Sequence, residues 1–298
     1  MRAITAIAWL TVAPLLFGSD RQTVPSVPVR MVLNYGRPSP LLTPDDLTVA
    51  LQFDPLPIVS LAPLRGSLEL YILVDSCSTC EPGPKLEELS RFIASQPSTT
   101  SIGVAYIQDG TLKIAEKPTT DRERAVKALS VPAGTRLSGP YTALADLITN
   151  WKTGAPRRVV LMISTGINPN AKDNLQDPTA EAAIAAAQRG QVTVYTVYHP
   201  SADYQTADPS RIYSGQVQLA HVGTETGGEG YFLNDGPLAS LAPFLSDIGE
   251  HLNNQYLLEF LAPDTGRPGS LQSVTLQTKH SDLELMAPYQ VWVPGSRK

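Results

Sequence analysis

A chain of 298 residues, 42% hydrophobic and 17% charged, has an ordinary globular composition and can bury one large core or one core with a small satellite. Its formal net charge is −5, and Lys and Arg are scattered rather than clustered, which leaves no electrostatic footprint for a polyanion and excludes nucleic acid as the expected partner. Of the 26 prolines, 14 gather at residues 25–64, 82–84, 198–209 and 263–268, where they punctuate elements rather than fill them.

The first residues read as a targeting segment. Arg2 precedes an apolar run from Ala3 to Phe17, broken only by Thr5, Thr11 and Pro14, and the small residues Gly18 and Ser19 follow before Asp20. A positive n-region, an apolar h-region and a small-residue junction predict a signal peptide over residues 1–18 and a periplasmic or extracellular protein. The alternative is an uncleaved anchor, although the run falls short of the ~20 apolar residues of a confident span. The junction has no Cys for lipid attachment. Nothing later is apolar for long enough to cross a membrane, so no span is expected once the signal is removed.

From Val24 to Gly66, the runs Val27 to Asn34, Leu47 to Phe53 and Ile58 to Leu61, divided by Pro and Gly, predict short strands. Between Leu68 and Gln255, continuous apolar runs alternate with helical periodicity, which is the pattern of a parallel sheet covered on both faces. Strands are expected at Glu69 to Asp75, Ser101 to Ile107, Arg158 to Ser164, Val192 to Tyr198 and Tyr231 to Asn234. An antiparallel edge strand at Thr111 to Glu116 would hairpin through Asp109 and Gly110. Helices are expected after Pro84, from Arg122 to Leu129 behind Asp121, from Tyr141 to Trp151 behind Pro140, and from Leu238 to Asn253. A further helix, Ala180 to Gln188, would be capped near Thr179 and stopped at Gly190. After Gln255 the β texture returns at Tyr256 to Leu261, Leu271 to Thr278, Leu283 to Leu285 and Tyr289 to Val293.

In open α/β sheets ligands occupy the crevice at the carboxyl ends of the strands, so the loop after Leu73 and Val74 is where chemistry should sit. It reads Val-Asp-Ser-Cys-Ser-Thr-Cys. A hydrophobic strand ending in Asp75, followed by hydroxyl-bearing residues at two-residue spacing, resembles the Asp-x-Ser-x-Ser metal-ion-dependent adhesion site of von Willebrand factor type A domains, with Cys77 and Thr79 in the serine places. Later segments match in the same order. Gly139-Pro-Tyr-Thr142-Ala-Leu resembles the Gly-x-Thr helix opening, Val159-Val-Leu-Met-Ile-Ser-Thr165-Gly166 the strand ending in Thr-Asp-Gly, and Glu225-Thr-Gly-Gly-Glu-Gly-Tyr-Phe232 the Thr-Gly-Gly-x-Tyr-Phe run. The flanks Leu42-Thr-Pro-Asp-Asp-Leu-Thr-Val49 and Asn254-Gln-Tyr-Leu-Leu-Glu-Phe260 resemble the edges of the bacterial, Acidobacteria-type VWFA-related exported family.

The resemblance implies an α/β, Rossmann-like, mostly parallel sheet of about six strands with helices on both faces, plus a small β domain. It divides the chain into a signal peptide (1–18), an N-terminal β flank (19–66), a type A-like domain (67–254) and a C-terminal β flank (255–298) that pairs with the first. It also implies a non-enzymatic adhesion or assembly module with a protein ligand of unknown identity. Asp75, Thr79 and Thr142 would be the oxygen ligands for Mg²⁺, but the site is degenerate. Cys77 substitutes soft sulfur for a hard hydroxyl, and Thr165 removes a carboxylate, so the expected state carries no cofactor.

Cys77 and Cys80, the only cysteines, form a Cys-x-x-Cys pair in the same loop. In an oxidising compartment a structural disulfide is expected. Free or metal-coordinating thiols stay open, and so does a redox pair, since a strand, Cys-x-x-Cys and helix N-terminus is also the arrangement of a thiol-disulfide oxidoreductase. A structural domain with no ligand is a further alternative. His199, His221, His251 and His280 show no metal-ligand spacing and read as surface or satisfied residues. Tyr195, Tyr198, Tyr204 and Tyr213 cluster in sequence and could make either a recognition surface or core packing.

Overall fold

The structure is a computed structural model and describes residues 26–34, 42–75, 83–130, 139–151, 157–168, 177–200, 208–232, 240–263 and 268–295. The signal-peptide segment lies outside these residues. So do Cys77, Thr79, Cys80, Tyr204 and Asn234.

Alternating burial divides the central strands between two helical layers. In β5 (Leu68–Asp75), β6 (Thr100–Gln108), β8 (Arg157–Ser164) and β9 (Val192–Tyr198) successive side chains face opposite sides of one sheet. Leu70, Ile72, Val159, Leu161, Tyr195 and Val197 pack with α1 (Gly83–Ser95), α2 (Arg122–Lys127) and α6 (Ala242–Asn253). Tyr71, Leu73, Val160, Met162, Val194 and Tyr198 pack with α3 (Pro140–Asn150), α4 (Pro178–Gly190) and α5 (Pro209–Glu225). Because both faces are covered, these strands read as continuous apolar runs rather than as alternation.

With β7 (Thr111–Thr119) and β10 (Gly230–Tyr231), the six-stranded sheet has the order β10-β9-β8-β5-β6-β7. Counted along the chain within the sheet, this is the doubly wound order 3-2-1-4-5-6, with the edge strand β7 antiparallel. It is the Rossmann-like architecture expected of a von Willebrand A-like fold. The edge hairpin turns at Asp109 and Gly110, whose φ values of +53° and +73° suit a two-residue primed turn.

Several details depart from the expectations, among them the strand expected over Leu47 to Phe53, which ends at Leu51 where Gln52 and Phe53 turn at positive φ into an unforeseen strand Asp54–Leu56. The Ala-rich helix α4 starts earlier, because the N-cap is Asp177, whose carboxylate accepts from Thr179 N–H at 2.9 Å. Its left-handed C-cap is Gln191 (φ +52°) rather than Gly190. The final sheet strand is described only at Gly230 and Tyr231. Helix α5 had no counterpart in the sequence reading, because its buried face carries Ser214, Gly215, Gln218 and Gly223 beside only Leu219 and Val222. That face has too few apolar residues to show a helical period.

The flanks form a two-sheet β structure. One sheet has the order β13 (Glu284–Met286), β1 (Ser26–Asn34), β11 (Gln255–Leu261), β4 (Ile58–Pro63), and the other β14 (Gln290–Val293), β12 (Ser270–Thr278), β2 (Leu47–Leu51), β3 (Asp54–Leu56). N- and C-terminal segments pair directly, β1 with β11 and β2 with β12, both antiparallel. Val29, Met31, Val49, Leu258, Phe260 and Val293 make their shared core. This structure joins the α/β layer where α6 runs into β11. There Arg157 at the start of β8 donates Nε to Gln255 Oε1 at 2.9 Å and a terminal nitrogen to Leu252 O.

Candidate functional site

The strand order reverses between β5 and β8, the switch point at whose carboxyl ends open α/β sheets ordinarily carry a ligand crevice. Asp75 ends β5 and Ser164 ends β8 on the adjacent parallel strand. Both are buried, and the Ser164 hydroxyl donates to Asp75 Oδ2 at 2.8 Å while accepting from Gly166 N–H at 3.1 Å. At the start of α3 the buried Tyr141 donates its hydroxyl to Gly166 O at 2.8 Å. Burial pushes the Tyr141 phenol far up from its ordinary value, with Asp177 and Asp75 adding to the effect, so it remains a donor. Gly166, at φ +67°, lies so close to α5 that an added Cβ would sit 2.3 Å from Gly215 O.

Of the sequence-derived ligands, Asp75 and Thr142 come to this end of the sheet, and Thr142 is exposed on α3 beside Tyr141. Thr165 is buried, and its hydroxyl accepts from Ile167 N–H at 3.3 Å within its own turn. Thr79, Cys77 and Cys80 fall outside the described residues. On the other face of the sheet, Lys85 Nζ donates to His199 Nε2 at 2.9 Å, and His199 N–H donates to Ser164 O at 2.9 Å. Burial, and then the Lys85 charge, push the His199 pKa down to about 4, which leaves a neutral imidazole.

This donor set fits a tightly held Mg²⁺ poorly. Asp75 is its single carboxylate and is already hydrogen-bonded to Ser164, and Thr165 turns its oxygen to the backbone. A hard dication needs more compensating charge than one carboxylate supplies. The same geometry argues against a serine-nucleophile triad: Ser164 gives its proton to Asp75, while His199 Nε2 is held by Lys85.

The Thr-Gly-Gly run serves the scaffold. Thr226 Oγ1 accepts from Val194 N–H at 3.1 Å and donates to Val222 O at 2.8 Å, which fastens the end of α5 to β9. The described tyrosines of that group do not form one surface, and Tyr204 lies outside the described residues. Tyr195 and Tyr198 are buried on opposite faces of the sheet, and Tyr213 is exposed on α5.

A second group of ligand-type residues lies between α6 and the β9–β10 edge of the sheet, level with Tyr195 in the middle of β9. Glu229, Asp247 and His251 bring one potential ligand atom each to within 4.8 Å of one another, an arrangement that could coordinate a divalent ion. Tyr231 donates its hydroxyl to Asp247 Oδ2 at 2.5 Å, and the Tyr195 ring stacks on His251 with centroids 5.9 Å apart. Burial pushes the Glu229 carboxyl up from its ordinary range. His251 is not a surface residue: it is buried, its Nε2 lies 3.8 Å from Asp247 Oδ2, and neither ring nitrogen has a hydrogen-bond partner. The available signal was Asp247 and His251 at four-residue spacing in the foreseen helix, a spacing that puts both on one face. Of the other histidines, His221 contacts Glu181 at 2.9 Å and His280 contacts Asp46 at 3.3 Å, whereas His199 is buried with Nδ1 lacking a hydrogen-bond partner, against the expectation of a surface or satisfied residue.

No protein-family model matches the chain, and no curated protein matches it. Solved structures do. An aerotolerance-related membrane protein from Bacteroides fragilis is 15% identical with a TM-score of 0.46, covering 63% of this chain and 99% of that one. The vWF domain of the type V pili tip protein Mfa5 from Porphyromonas gingivalis is 10% identical with a TM-score of 0.47, covering 64% and 96%. A von Willebrand factor type A protein from Catenulispora acidiphila is 10% identical with a TM-score of 0.44, covering 96% and 77%.

Proposed function

We propose that this chain is an exported protein-binding module, used in adhesion or assembly, that docks a protein partner at the carboxyl-end crevice without catalysis. The observation that carries the reading is the Asp75–Ser164 pair at the switch point of a doubly wound sheet, with exposed Thr142 at the same end. The order of the sequence segments around those residues supports membership of the bacterial VWFA-related exported family. It also supports the division into a signal peptide (1–18), two β flanks (19–66 and 255–298) and a type A-like domain (67–254). Among the described residues no helix is long and apolar enough to cross a membrane.

In this reading the adhesion site has lost its ion. Thr142 offers a hydrogen-bonding group at the crevice, Thr79 is the sequence-derived second such group, and a Cys77–Cys80 disulfide would hold the loop that an ion holds in metal-bearing type A domains. The reading is tested by affinity capture from the exported fraction of the native host, comparing wild type with Thr142→Arg. The partner should be retained by wild type and lost by a variant that melts like wild type. Equal retention by both would overturn the placement of the docking surface.

A further inference from the structure

We propose that Glu229, Asp247 and His251 form a Zn²⁺ site between α6 and the β9–β10 edge of the sheet, beside Tyr195 in the middle of β9. Asp247 and His251 stand one helical turn apart on α6, and Glu229 is supplied by the turn that enters β10. Their ligand atoms lie within 4.8 Å of one another, a spread that an ion with bonds of about 2.0–2.2 Å closes by side-chain movement alone.

The independent sign of a ligand is the state of the buried polar atoms. His251 is 2% exposed, and neither Nδ1 nor Nε2 has a hydrogen-bond partner. Buried imidazole nitrogens are ordinarily satisfied, so two unpaired ones call for an explanation such as a bound ion. The Tyr195 hydroxyl, fully buried and within electrostatic reach of Glu229 and Asp247, has no partner either. An ion bound to a His251 nitrogen would satisfy the imidazole, and a metal-bound water could take the Tyr195 hydroxyl.

The donor chemistry selects the metal class. One imidazole nitrogen and two carboxylate oxygens suit zinc, whereas Mg²⁺ or Ca²⁺ would want oxygen throughout. The two carboxylates match the ion's charge, and Tyr231 orients Asp247 from behind, as outer-shell partners of metal ligands do. The Arg157 guanidinium is the nearby opposing charge, but it is engaged by Gln255 and the Leu252 carbonyl. Asp247 is 43% exposed and gives the ion its route in. The site would pin α6 to the β9–β10 edge beside the flanks, a structural role separate from the crevice.

The test is calorimetric titration of ZnCl₂ into chelator-stripped full-length protein, with Co²⁺ absorption as a second readout. We expect one saturable equivalent per chain, a higher melting temperature with Zn²⁺, and loss of both binding signals in His251→Gln and in Asp247→Asn. Tyr231→Phe, which keeps all three ligands, should weaken binding by roughly 10–100-fold. The double variant Cys77→Ser, Cys80→Ser should bind like wild type. Absence of saturable binding would overturn the site, and so would binding that survives both ligand variants or disappears with the cysteines.

Discussion

Ser164 Oγ donates to Asp75 Oδ2 at 2.8 Å, which joins the ends of the two strands between which the sheet changes direction. The same oxygen accepts from Gly166 N–H, so one hydroxyl fixes both the carboxylate and the turn that follows β8. Ser164→Ala removes a donor to the buried Asp75 carboxylate and the acceptor of the Gly166 N–H, and should destabilise the protein by about 1–3 kcal/mol. Urea unfolding would show this as a lower midpoint at unchanged slope. An unchanged midpoint would mean that water replaces the hydroxyl at no cost and that the pair does not organise the crevice.

The buried His199 gives the crevice an acid-sensitive element. Its folded pKa is pushed down to about 4 from the ordinary 6.5, so between these values the unfolded chain takes up a proton that the folded protein refuses. The contribution to stability is complete above pH ~6.5 and is lost as pH falls toward ~4, at most about 3 kcal/mol in all. Glu229, whose folded pKa is raised, acts in the opposite sense, so a difference measurement is needed. Wild type should lose more stability than His199→Asn between about pH 7 and pH 4.5. Parallel curves would show that His199 titrates in the folded protein as it does in the unfolded chain, and that burial does not hold it neutral.

The β flanks should not be separable. Ser26–Val32 pairs with Gln255–Leu261 through an unbroken antiparallel register, and Phe260 and Leu258 are fully buried against residues of both flanks. A chain of residues 67–254 loses that structure together with the Gln255 acceptor for Arg157. It should melt below the full-length protein and bind a hydrophobic dye. Melting at the full-length temperature without dye binding would make the flanks dispensable.

The disulfide reading predicts that intact mass finds no labelled thiols in the native protein and that reductant lowers its melting temperature. A Cys77–Cys80 ring is very small, so the decrease should be at the low end of the ~0–5 kcal/mol range for disulfides. Chelator effects must be read in His251→Gln, where the proposed zinc site is absent. In that background a chelator should do little. Two reactive thiols, or a chelator-induced loss restored by Mg²⁺, would refute the disulfide and return an ion to the crevice.

The architecture was legible because its signals are local. The buried strands β5, β8 and β9 are continuous apolar runs, and helix starts are marked by Pro140, Asp121 and Pro84. Asp109-Gly110 announced the edge hairpin. Helix α5 was not legible because small and polar residues pack its buried face, with Gly215 closing on the Thr165 carbonyl. At the crevice, Asp75 and Thr142 could be found from motif order, but the role of Ser164 could not. In sequence it is one more residue of an apolar strand, and only the pairing of β5 with β8 sets it against Asp75. The Glu229–Asp247–His251 group was missed for a related reason, since two of its members share a helix face and the third arrives from a turn.

The central claim is that the partner touches the crevice, and site-specific photo-crosslinking in the native host reads that contact directly. A photoreactive residue at Thr142 should give a discrete adduct with one exported protein, identified by mass spectrometry. The same residue at Phe53, 91% exposed in the β flanks, should give none. An adduct from position 53 without one from position 142 would contradict the account and move the binding surface to the flanks.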